Sequence, residues 1–439
     1  MPTRVLVVGG GGREHALAWK LAGEPGVNEV VVAPGSAAIA AEARVRTLPG
    51  TDATDPAAIV TAARAMAAEL VVIGPEAPLA MGVADGLASA GIAVFGPTQA
   101  AARLETSKAF CHAVAEAASV RMARSRAFAG GEAAAASAYV EELGADGVGI
   151  VLKADGLAGG KGVIVTESID QALELAPSFL AGRAADAPAL VVEERLEGRE
   201  ASVIAICDGT RAVALPAARD HKRLCDGDRG PNTGGMGAYS PLADLDDAAV
   251  EAVLDTVHRP ILAEMARRGT PFRGFLYAGL MLTADGPAVL ECNVRLGDPE
   301  AQVILPRVAG AIGPLLLAAA RGRLPEDAPP LIGTLPGAAL GIVLAAAGYP
   351  GSPKRGHPIS GLEDAVAAGA LVFHAGTIGR PGGGYGTNGG RVLTVVGQGS
   401  GLAEARAAAE QAADAIAWDG LQRRHDIGLD QPIPAGAAR

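Results

Sequence analysis

One pattern repeats through the first hundred residues: a β-branched run, a turn of Gly or Pro, and then an Ala-rich stretch with helical spacing. The four runs are RVLVV (4–8), EVVVA (29–33), LVVIG (70–74) and IAVFG (92–96). Strands that alternate with helices in this way are typical of βαβ units, whose strands pair in parallel. The N-terminal part is therefore predicted to be an open parallel α/β sheet.

Each predicted strand ends in a turn of small residues. In an open parallel sheet a ligand binds beyond the carboxyl ends of the strands, so these turns are expected to line one site. The turns are Gly9–Gly12, Pro34-Gly35, Gly74-Pro75-Glu76 and Gly96-Pro97-Thr98.

The rest of the chain predicts further α/β and α+β units. At 439 residues the chain is long for one hydrophobic core, and about three domains are expected. Helical spacing is predicted over 100–145, a long polar loop over 219–241, and a hairpin around Asp285-Gly286. The predicted domains are 1–102, 103–327 and 328–428, followed by a tail at 429–439.

Charge and composition limit the partners and the location of the protein. The net charge of -11 repels nucleic acid and anionic lipid, so neither is an expected partner. Ala328–Pro353 carries no charge and has the length of a membrane span, but prolines divide it, and its core ALGIVLAAA is predicted to be a buried strand. The chain enters a strand pattern at once and lacks a C-x-x-C pair, so we expect a cytoplasmic protein. We also expect a monomer, although the sequence does not disclose the oligomeric state.

The segment GGGGREHA (9–16) lies between a predicted strand and a helix, where backbone amides bind anions. A dinucleotide is disfavoured, because Glu14 stands where the fingerprint needs its third Gly. A single phosphate or an acidic small molecule fits better, and the alternative is a purely structural tight turn.

The segment VLKADGLAGGKGVIV (151–165) is similar to a phosphate-binding P-loop but departs from it at Asp155 and Gly162. Apolar runs on both sides predict strand, loop, strand, an arrangement that folds over a triphosphate as a lid. Lys153 lies in the first strand and is predicted to contact the ligand, while Lys161 lies in the loop. A solvated hairpin without a ligand is the alternative.

Two acidic segments predict nucleotide and metal contacts. VVEERLEGREASV (191–203) carries Glu193, Glu194, Glu197 and Glu200, which either bind ribose hydroxyls or form a solvated turn. In ECNVRLGDPE (291–300), residues 291 and 293 share one face of a strand, and their Glu and Asn oxygens suit magnesium.

Two alternatives stay open for these polar segments. The glutamate at 291 is also placed to pair with Arg295, whose guanidinium is itself a candidate clamp for a carboxylate or phosphate. In RDHKRLCDGDRGPNTGGMGAYSP (219–241), Asp220, Lys222 and Arg223 are candidates for substrate contact. His221 is either a base or a solvated loop residue.

Taken in order, these motifs resemble the ATP-grasp enzymes and, among them, the phosphoribosylamine-glycine ligase family. The resemblance runs from about residue 4 to 428. It rests on KADGLAGGKGV, EE-x-L-x-G-x-E, DHKR with GPNTGGMGAYSP, E-x-N-x-R-x-GDPE, VVGGGGREHALAWKL, GPEAPL and TNGGRVL.

The resemblance implies a reaction in which ATP phosphorylates glycine and the amine of 5-phosphoribosylamine attacks the glycyl phosphate. It implies ATP as co-substrate, Mg²⁺ or Mn²⁺ as the metal, and a central ATP-grasp domain with a lid at about 120–190. The implied ATP contacts are Lys108, Lys153, Gly159, Gly160, Lys161, Glu193, Glu194, Leu196 and Glu200. The implied metal ligands are Glu291 and Asn293, and the implied catalytic residues are Asp220, Lys222 and Arg295. The implied phosphoribosylamine contacts are Gly11, Gly12, Arg13, Pro34, Gly35, Gly74, Pro75 and Glu76.

Two other functions stay open at this point. The first is another ATP-grasp ligase or carboxylase, such as one that phosphorylates bicarbonate. The second is a nucleotide sensor without turnover.

Overall fold

The computed structural model describes residues 1–157, 162–185 and 187–429. Its N-terminal unit is built on an open, fully parallel sheet. Its strands are β1 (Arg4–Gly9), β2 (Glu29–Pro34), β3 (Val45–Thr47), β4 (Leu70–Ile73) and β5 (Val94–Phe95), and its helices are α1 (Gly12–Ala22), α2 (Pro56–Ala65), α3 (Glu76–Ala80), α4 (Val83–Ser89) and α5 (Gln99–Thr106). The order β3-β2-β1-β4-β5 confirms the predicted sheet, and β3 is an addition that the sequence pattern did not indicate. The chain switches direction across the sheet between β1 and β4, which is where such sheets bind ligands.

The central unit contains two four-stranded antiparallel sheets and a two-stranded antiparallel ribbon. Its helices are α6 (Lys108–Ala117), α7 (Ala133–Ala145), α8 (Ile169–Leu180), α9 (Asp247–Val253), α10 (Arg259–Arg267), α11 (Glu300–Ile304) and α12 (Gly313–Ala320). Its strands are β6 (Ser125–Ala129), β7 (Ile150–Ala154), β8 (Val163–Val165), β9 (Pro188–Glu194), β10 (Arg199–Asp208), β11 (Ala212–Ala214), β12 (Arg219–Asp220), β13 (Arg223–Cys225), β14 (Arg229–Asn232), β15 (Gly237–Ser240), β16 (Arg273–Thr283) and β17 (Gly286–Asn293). The sheet β6-β9-β7-β8 packs with α7 and α8 around a hydrophobic cluster of its own, while β11-β10-β16-β17 belongs to the larger core.

Local predictions in this unit had mixed outcomes. The β16–β17 hairpin is confirmed, with Thr283 opposite Gly286 across the turn. The helical pattern predicted over 100–145 is confirmed in α5, α6 and α7, but it missed β6, because Ser125–Ala129 pairs with β9, a segment some sixty residues away. Tertiary hydrogen bonding here overrides local helix propensity.

The C-terminal unit is built on a sheet that it shares with the central segment. Its elements are β18 (Ala338–Ala345), α13 (Leu362–Ala367), β19 (Leu371–His374), β20 (Thr377–Gly379), β21 (Tyr385–Thr387), β22 (Arg391–Gly399) and α14 (Leu402–Ala415). The order β12-β15-β18-β22-β19 shows that the polar segment 219–241 is no free loop, since two of its short strands extend this sheet. The predicted buried strand is confirmed, because all eight residues of β18 are buried. Within the described ranges, no helix has both the length and the apolar character needed to cross a bilayer.

Candidate active site

A cavity of about 1140 Å³ lies where the three units meet. The N-terminal unit contributes Arg13 and Glu76, and the C-terminal unit contributes Tyr349 and Arg391. Most of the predicted site residues line this one cavity: Arg13, Glu76, Lys108, Lys153, Glu193, Glu194, Leu196, Glu200, Asp220, Lys222, Glu291, Asn293 and Arg295. Side chains that are far apart in sequence thus converge on one volume.

The predicted glycine and proline turns form a backbone surface beside this cavity. The Gly35 amide donates to the Gly9 carbonyl at 3.0 Å, and the Gly74 amide donates to the Val8 carbonyl at 3.0 Å. Close packing explains the small residues, since a Cβ on Gly10 would lie 2.9 Å from the Gly35 oxygen. The turn residues Gly11, Gly12, Pro34, Gly35, Gly74 and Pro75 are not among the residues that line the cavity. The predicted loop contacts Gly159, Gly160 and Lys161 lie outside the described residues.

Glu14 organises the first glycine turn. Its carboxylate accepts hydrogen bonds from the Gly11 amide at 2.7 Å and from Arg13 Nε at 2.7 Å. A Cβ on Gly74 would lie 2.2 Å from a Glu14 oxygen, so this carboxylate fills the space between two turns. Glu14 thus occupies the place of the third glycine of a dinucleotide fingerprint, and the Arg13 guanidinium is the cationic group of the turn.

A buried ammonium connects the small sheet to the strand β17. Lys153 Nζ lies 2.7 Å from Glu193 Oε2 and donates to the Leu290 carbonyl at 2.9 Å. His112 Nε2 lies 2.7 Å from the other Glu193 oxygen, and Ser125 Oγ lies 2.8 Å from His112 Nδ1. Burial opposes the charge of Glu193, but Lys153 and His112 outweigh it and hold the pKa of Glu193 below its usual value.

Lys108 lies at the other edge of the glycine-rich segment. Its ammonium donates to the Gly156 carbonyl at 3.0 Å, and burial lowers its pKa. Asp155 accepts hydrogen bonds from Ser107 Oγ at 3.0 Å and from the Ala109 amide at 3.1 Å. The residue that departs from the P-loop pattern therefore ties the segment to the first turn of α6.

Lys222 lies among carboxylates. Its ammonium is 2.8 Å from Glu200 Oε2 and 4.0 Å from Glu291 Oε1. Burial works against its charge, but Glu200 and Asp220 raise the pKa of Lys222 well above its usual value. Burial raises the pKa of Asp220 to about 7, although Lys222 opposes that shift. A fixed cation in this position neutralises negative charge from the protein and from any bound anion.

Glu291 and Asn293 lie on one face of β17, as their spacing predicts. The Asn293 amide donates to Glu291 Oε1 at 3.3 Å, and its carbonyl oxygen accepts from Arg295 Nη2 at 3.1 Å. Burial opposes the charge of Glu291, but Lys222 and Lys153 keep the pKa of Glu291 below its usual value. The carboxylate is thus ionised and suited to a hard cation.

Arg295 forms ion pairs with Glu105 and Glu76, whereas the sequence suggested Glu291 as its partner. Its Nη2 lies 2.8 Å from Glu105 Oε1 and its Nε lies 3.5 Å from Glu76 Oε2. Glu105 also accepts a hydrogen bond from the Val294 amide at 2.8 Å. The cation nearest to Glu291 in these ion pairs is Lys222, and the alternative Glu291–Arg295 ion pair does not form.

The donor set fits a metal that arrives with a nucleotide. Among the residues that the structure describes, no group of three or more His, Cys, Asp or Glu side chains could hold a metal ion. Magnesium commonly takes one or two protein oxygens and completes its shell with phosphate oxygens and water. Glu291 and Asn293 supply such a partial shell.

Several cavity residues were missed by sequence reasoning. Glu105 lies near the end of α5, and His112 lies one turn after Lys108 in α6, but neither residue belongs to a motif that the sequence analysis recognised. Glu300 accepts from Tyr277 Oη at 2.9 Å and contacts Ser202 Oγ at 3.3 Å. Only the pairing of β10 with β16 brings Ser202 and Tyr277 together, and no local pattern signals it.

Three family models match this chain in the order of its units. The phosphoribosylglycinamide synthetase N domain matches residues 3–105, the ATP-grasp (A) domain 106–301, and the C domain 339–430. The chain belongs to the phosphoribosylglycinamide synthetase family. The predicted ATP-grasp resemblance is thereby confirmed.

Relatives within the family are similar along nearly the whole chain. Phosphoribosylamine–glycine ligase from Yersinia pestis is 45% identical and covers 97% of this chain and 98% of its own. The protein of that name from Leifsonia xyli subsp. xyli is 46% identical, with 97% and 99% covered. The crystal structure of phosphoribosylamine–glycine ligase from Thermotoga maritima has a TM-score of 0.78 at 33% identity, covering 97% of this chain and all of that one.

Biotin carboxylases share the fold at lower identity. The biotin carboxylase domain of Hydrogenobacter thermophilus 2-oxoglutarate carboxylase has a TM-score of 0.70 at 17% identity, covering 96% of this chain and 92% of that one. This similarity concerns the fold alone.

Proposed function

We propose that this protein joins glycine to 5-phosphoribosylamine at the expense of ATP, giving glycinamide ribonucleotide, ADP and phosphate in purine biosynthesis. The observation that carries the proposal is the convergence of Lys153, Glu200 and Glu291 on one cavity at the junction of the three units. Family membership over nearly the whole chain supports the same conclusion.

The reaction proceeds through an acyl phosphate. A carboxylate is a poor electrophile, so a glycine carboxylate oxygen first attacks the terminal phosphorus of ATP, releasing ADP and forming glycyl phosphate. The amine nitrogen of phosphoribosylamine then attacks the acyl carbon, phosphate leaves with the bonding electrons, and the nitrogen loses a proton. The protein positions the reactants, neutralises charge and excludes water.

Lys108 and Lys153 are proposed to contact the ATP phosphates. Both residues line the cavity, and Lys153 is fixed by Glu193. Glu193, Glu194, Leu196 and Glu200 line the same cavity on the chain segment that links the small sheet to β10, where an adenosine would lie. The segment 157–162 is proposed to close over the phosphates.

Glu291 and Asn293 are proposed to hold Mg²⁺ or Mn²⁺. When bound, the metal polarises the phosphate oxygens and offsets the charge that develops during transfer. Lys222 supplies a second positive charge 4.0 Å from the Glu291 carboxylate. We place the glycine carboxylate and the acyl phosphate near Asp220, Lys222 and Arg295.

The glycine turns of the N-terminal sheet are proposed to bind phosphoribosylamine. They meet at the switch point between β1 and β4, and Arg13 supplies a cation there. The contacts would be Gly11, Gly12, Arg13, Pro34, Gly35, Gly74, Pro75 and Glu76, with the first backbone amides of α1 and the Arg13 guanidinium as the groups that bind an anion.

The test is formation of glycinamide ribonucleotide by the purified protein. Phosphoribosylamine is generated in the assay from ammonia and ribose 5-phosphate, and ATP, magnesium and glycine are added. Mass spectrometry is expected to detect the ribonucleotide together with one ADP per product. Product formation is expected to require all three substrates.

Two control arms separate this function from its alternatives. Replacing glycine by bicarbonate is expected to leave ADP release at background, whereas bicarbonate-dependent ADP release would point to a carboxylase. ATP binding without ADP release in the complete mixture would point to a nucleotide sensor.

We further propose that the protein acts in the cytoplasm as a monomer. Its four cysteines are free thiols, as expected in a reducing compartment. Light scattering of the purified protein should give a mass near the 43.7 kDa of one chain.

A further inference from the structure

The C-terminal motif TNGGRVL places a cation in the main cavity. Arg391 begins β22 and lines the cavity together with Tyr349. Glycines permit this approach, because a Cβ on Gly376 would lie 2.6 Å from the Gly389 Cα and one on Gly390 would lie 2.3 Å from the Tyr349 ring. A tightly packed loop of the C-terminal unit therefore delivers an arginine side chain into a site that the other two units mostly form.

Arg391 bridges two segments of the central unit. Its guanidinium donates to the backbone carbonyls of Gly234 and Asp298. Its Nη2 also lies 3.5 Å from Asp298 Oδ2, and the two side chains are exposed by only 22% and 16%. A planar guanidinium that bonds a carbonyl and a carboxylate of the same residue fixes the orientation of that residue.

Asp298 lies over the glycine turn of the N-terminal unit. Its Oδ1 accepts a hydrogen bond from Gln302 Nε2 at 2.8 Å. A Cβ on Gly12 would lie 2.7 Å from that same nitrogen, and one on Gly11 would lie 4.0 Å from Asp298 Oδ2. Asp298 also lines the cavity beside Arg13. Its carboxylate is therefore an acceptor at the place where the three units meet.

We propose that Arg391 is a positioning residue for phosphoribosylamine: it fixes Asp298, whose carboxylate accepts a hydrogen bond from a donor group of that substrate. The substrate brings an amine and two ribose hydroxyls, and a charged acceptor strengthens such a bond. The inference rests on the proposed function, and it gives the C-terminal unit a role in recognising one of the three substrates.

The experiment compares Arg391→Gln and Arg391→Lys with the unmodified protein. KM is measured for phosphoribosylamine, glycine and ATP, and calorimetry gives Kd for ATP and for glycinamide ribonucleotide, a stable molecule with the same ribose phosphate. Arg391→Gln is expected to raise KM for phosphoribosylamine and Kd for the ribonucleotide about tenfold, as for one charged hydrogen bond. Both constants for ATP should stay within about twofold, and Arg391→Lys should recover part of the loss.

A double-variant cycle tests the connection to the carboxylate. Asp298→Asn and Arg391→Gln are combined, and the double variant is expected to be little worse than Asp298→Asn alone, because both changes act through the same charged carboxylate. Arg380→Gln, an exposed arginine of the same unit, is the matched control and should change neither constant.

The outcomes separate this inference from the proposed function. Unchanged KM for phosphoribosylamine in Arg391→Gln, equal losses for ATP and phosphoribosylamine, or additive effects in the cycle would each overturn the role of Arg391. Absence of glycinamide ribonucleotide with the unmodified protein would instead refute the proposed function.

Discussion

The ammonium of Lys153 lies 2.7 Å from a carboxylate oxygen of Glu193, and the two side chains are exposed by only 9% and 3%. This pair joins the small sheet of the central unit to the back of the strand that carries Glu291, since Lys153 also donates to the Leu290 carbonyl. Removal of one member leaves the other charge buried, so the pair can be examined through stability as well as through activity.

Lys153→Met is expected to lower the free energy of unfolding at pH 7 by about 3 to 5 kcal/mol, because Glu193 loses its buried countercharge. Denaturant unfolding of the ligand-free protein measures this loss. The double variant Lys153→Met/Glu193→Leu should recover much of the stability while staying unable to bind ATP normally. A loss below about 1 kcal/mol in the single variant would contradict a buried pair of this strength.

Glu291→Ala is expected to lower turnover on the order of a hundredfold or more, because charge stabilisation by a bound metal contributes several kcal/mol. Steady-state rates across a magnesium titration measure the effect, and the metal concentration for half-maximal rate should rise. Chelation of the metal with EDTA should abolish the activity of the unmodified protein. Asp285→Ala, at the exposed turn of the same hairpin, is the matched control, and near-normal rates in Glu291→Ala would remove the metal assignment.

Asp220 predicts a pH-dependent penalty on stability. Burial raises its pKa in the folded protein to about 7 from an ordinary 3.8, so between these values the folded state holds a proton that the unfolded state has lost. The contribution of this group to the free energy of unfolding therefore falls as pH rises through that window and is level above it. The Asn side chain of Asp220→Asn does not titrate in this range. The stability of this variant relative to the unmodified protein should therefore increase as pH rises from about 4.5 to 7.5. Urea unfolding at several pH values measures the difference, and parallel profiles for the two proteins would refute the shifted pKa.

Replacing both Gly159 and Gly160 by Pro should slow turnover more than it weakens ATP binding. The expectation follows from the sequence, in which these residues belong to a loop between β7 and β8 that is predicted to close over the phosphates. Turnover comes from steady-state rates and affinity from calorimetry with ATP. Equal changes in both quantities would count against a lid.

Part of the site could be predicted because strand geometry is local. Glu291 and Asn293 are two residues apart in a strand, so they share a face wherever the strand lies. The partner of Arg295 could not be predicted in this way. The near neighbour Glu291 is the obvious choice in sequence, but Glu105 and Glu76 arrive from helices of the N-terminal unit and pair with it instead.

The segment 219–241 shows the same division. Its glycines and charges predict a functional loop, and Asp220 and Lys222 do line the cavity. Its strands escape prediction because they are short, and one of them, β15, pairs with β18, which follows about a hundred residues later.

The sequence by itself determined the parallel N-terminal sheet, the β16–β17 hairpin and the shared face of Glu291 and Asn293, because periodicity and turn chemistry act over a few residues. Only the tertiary structure decided that His112 contacts the Glu193 carboxylate, that Glu105 pairs with Arg295, and that Arg391 of the C-terminal unit pairs with Asp298. These contacts depend on how distant segments of the chain pack, and the energy that selects them comes from burial and charge pairing between segments that no local pattern connects.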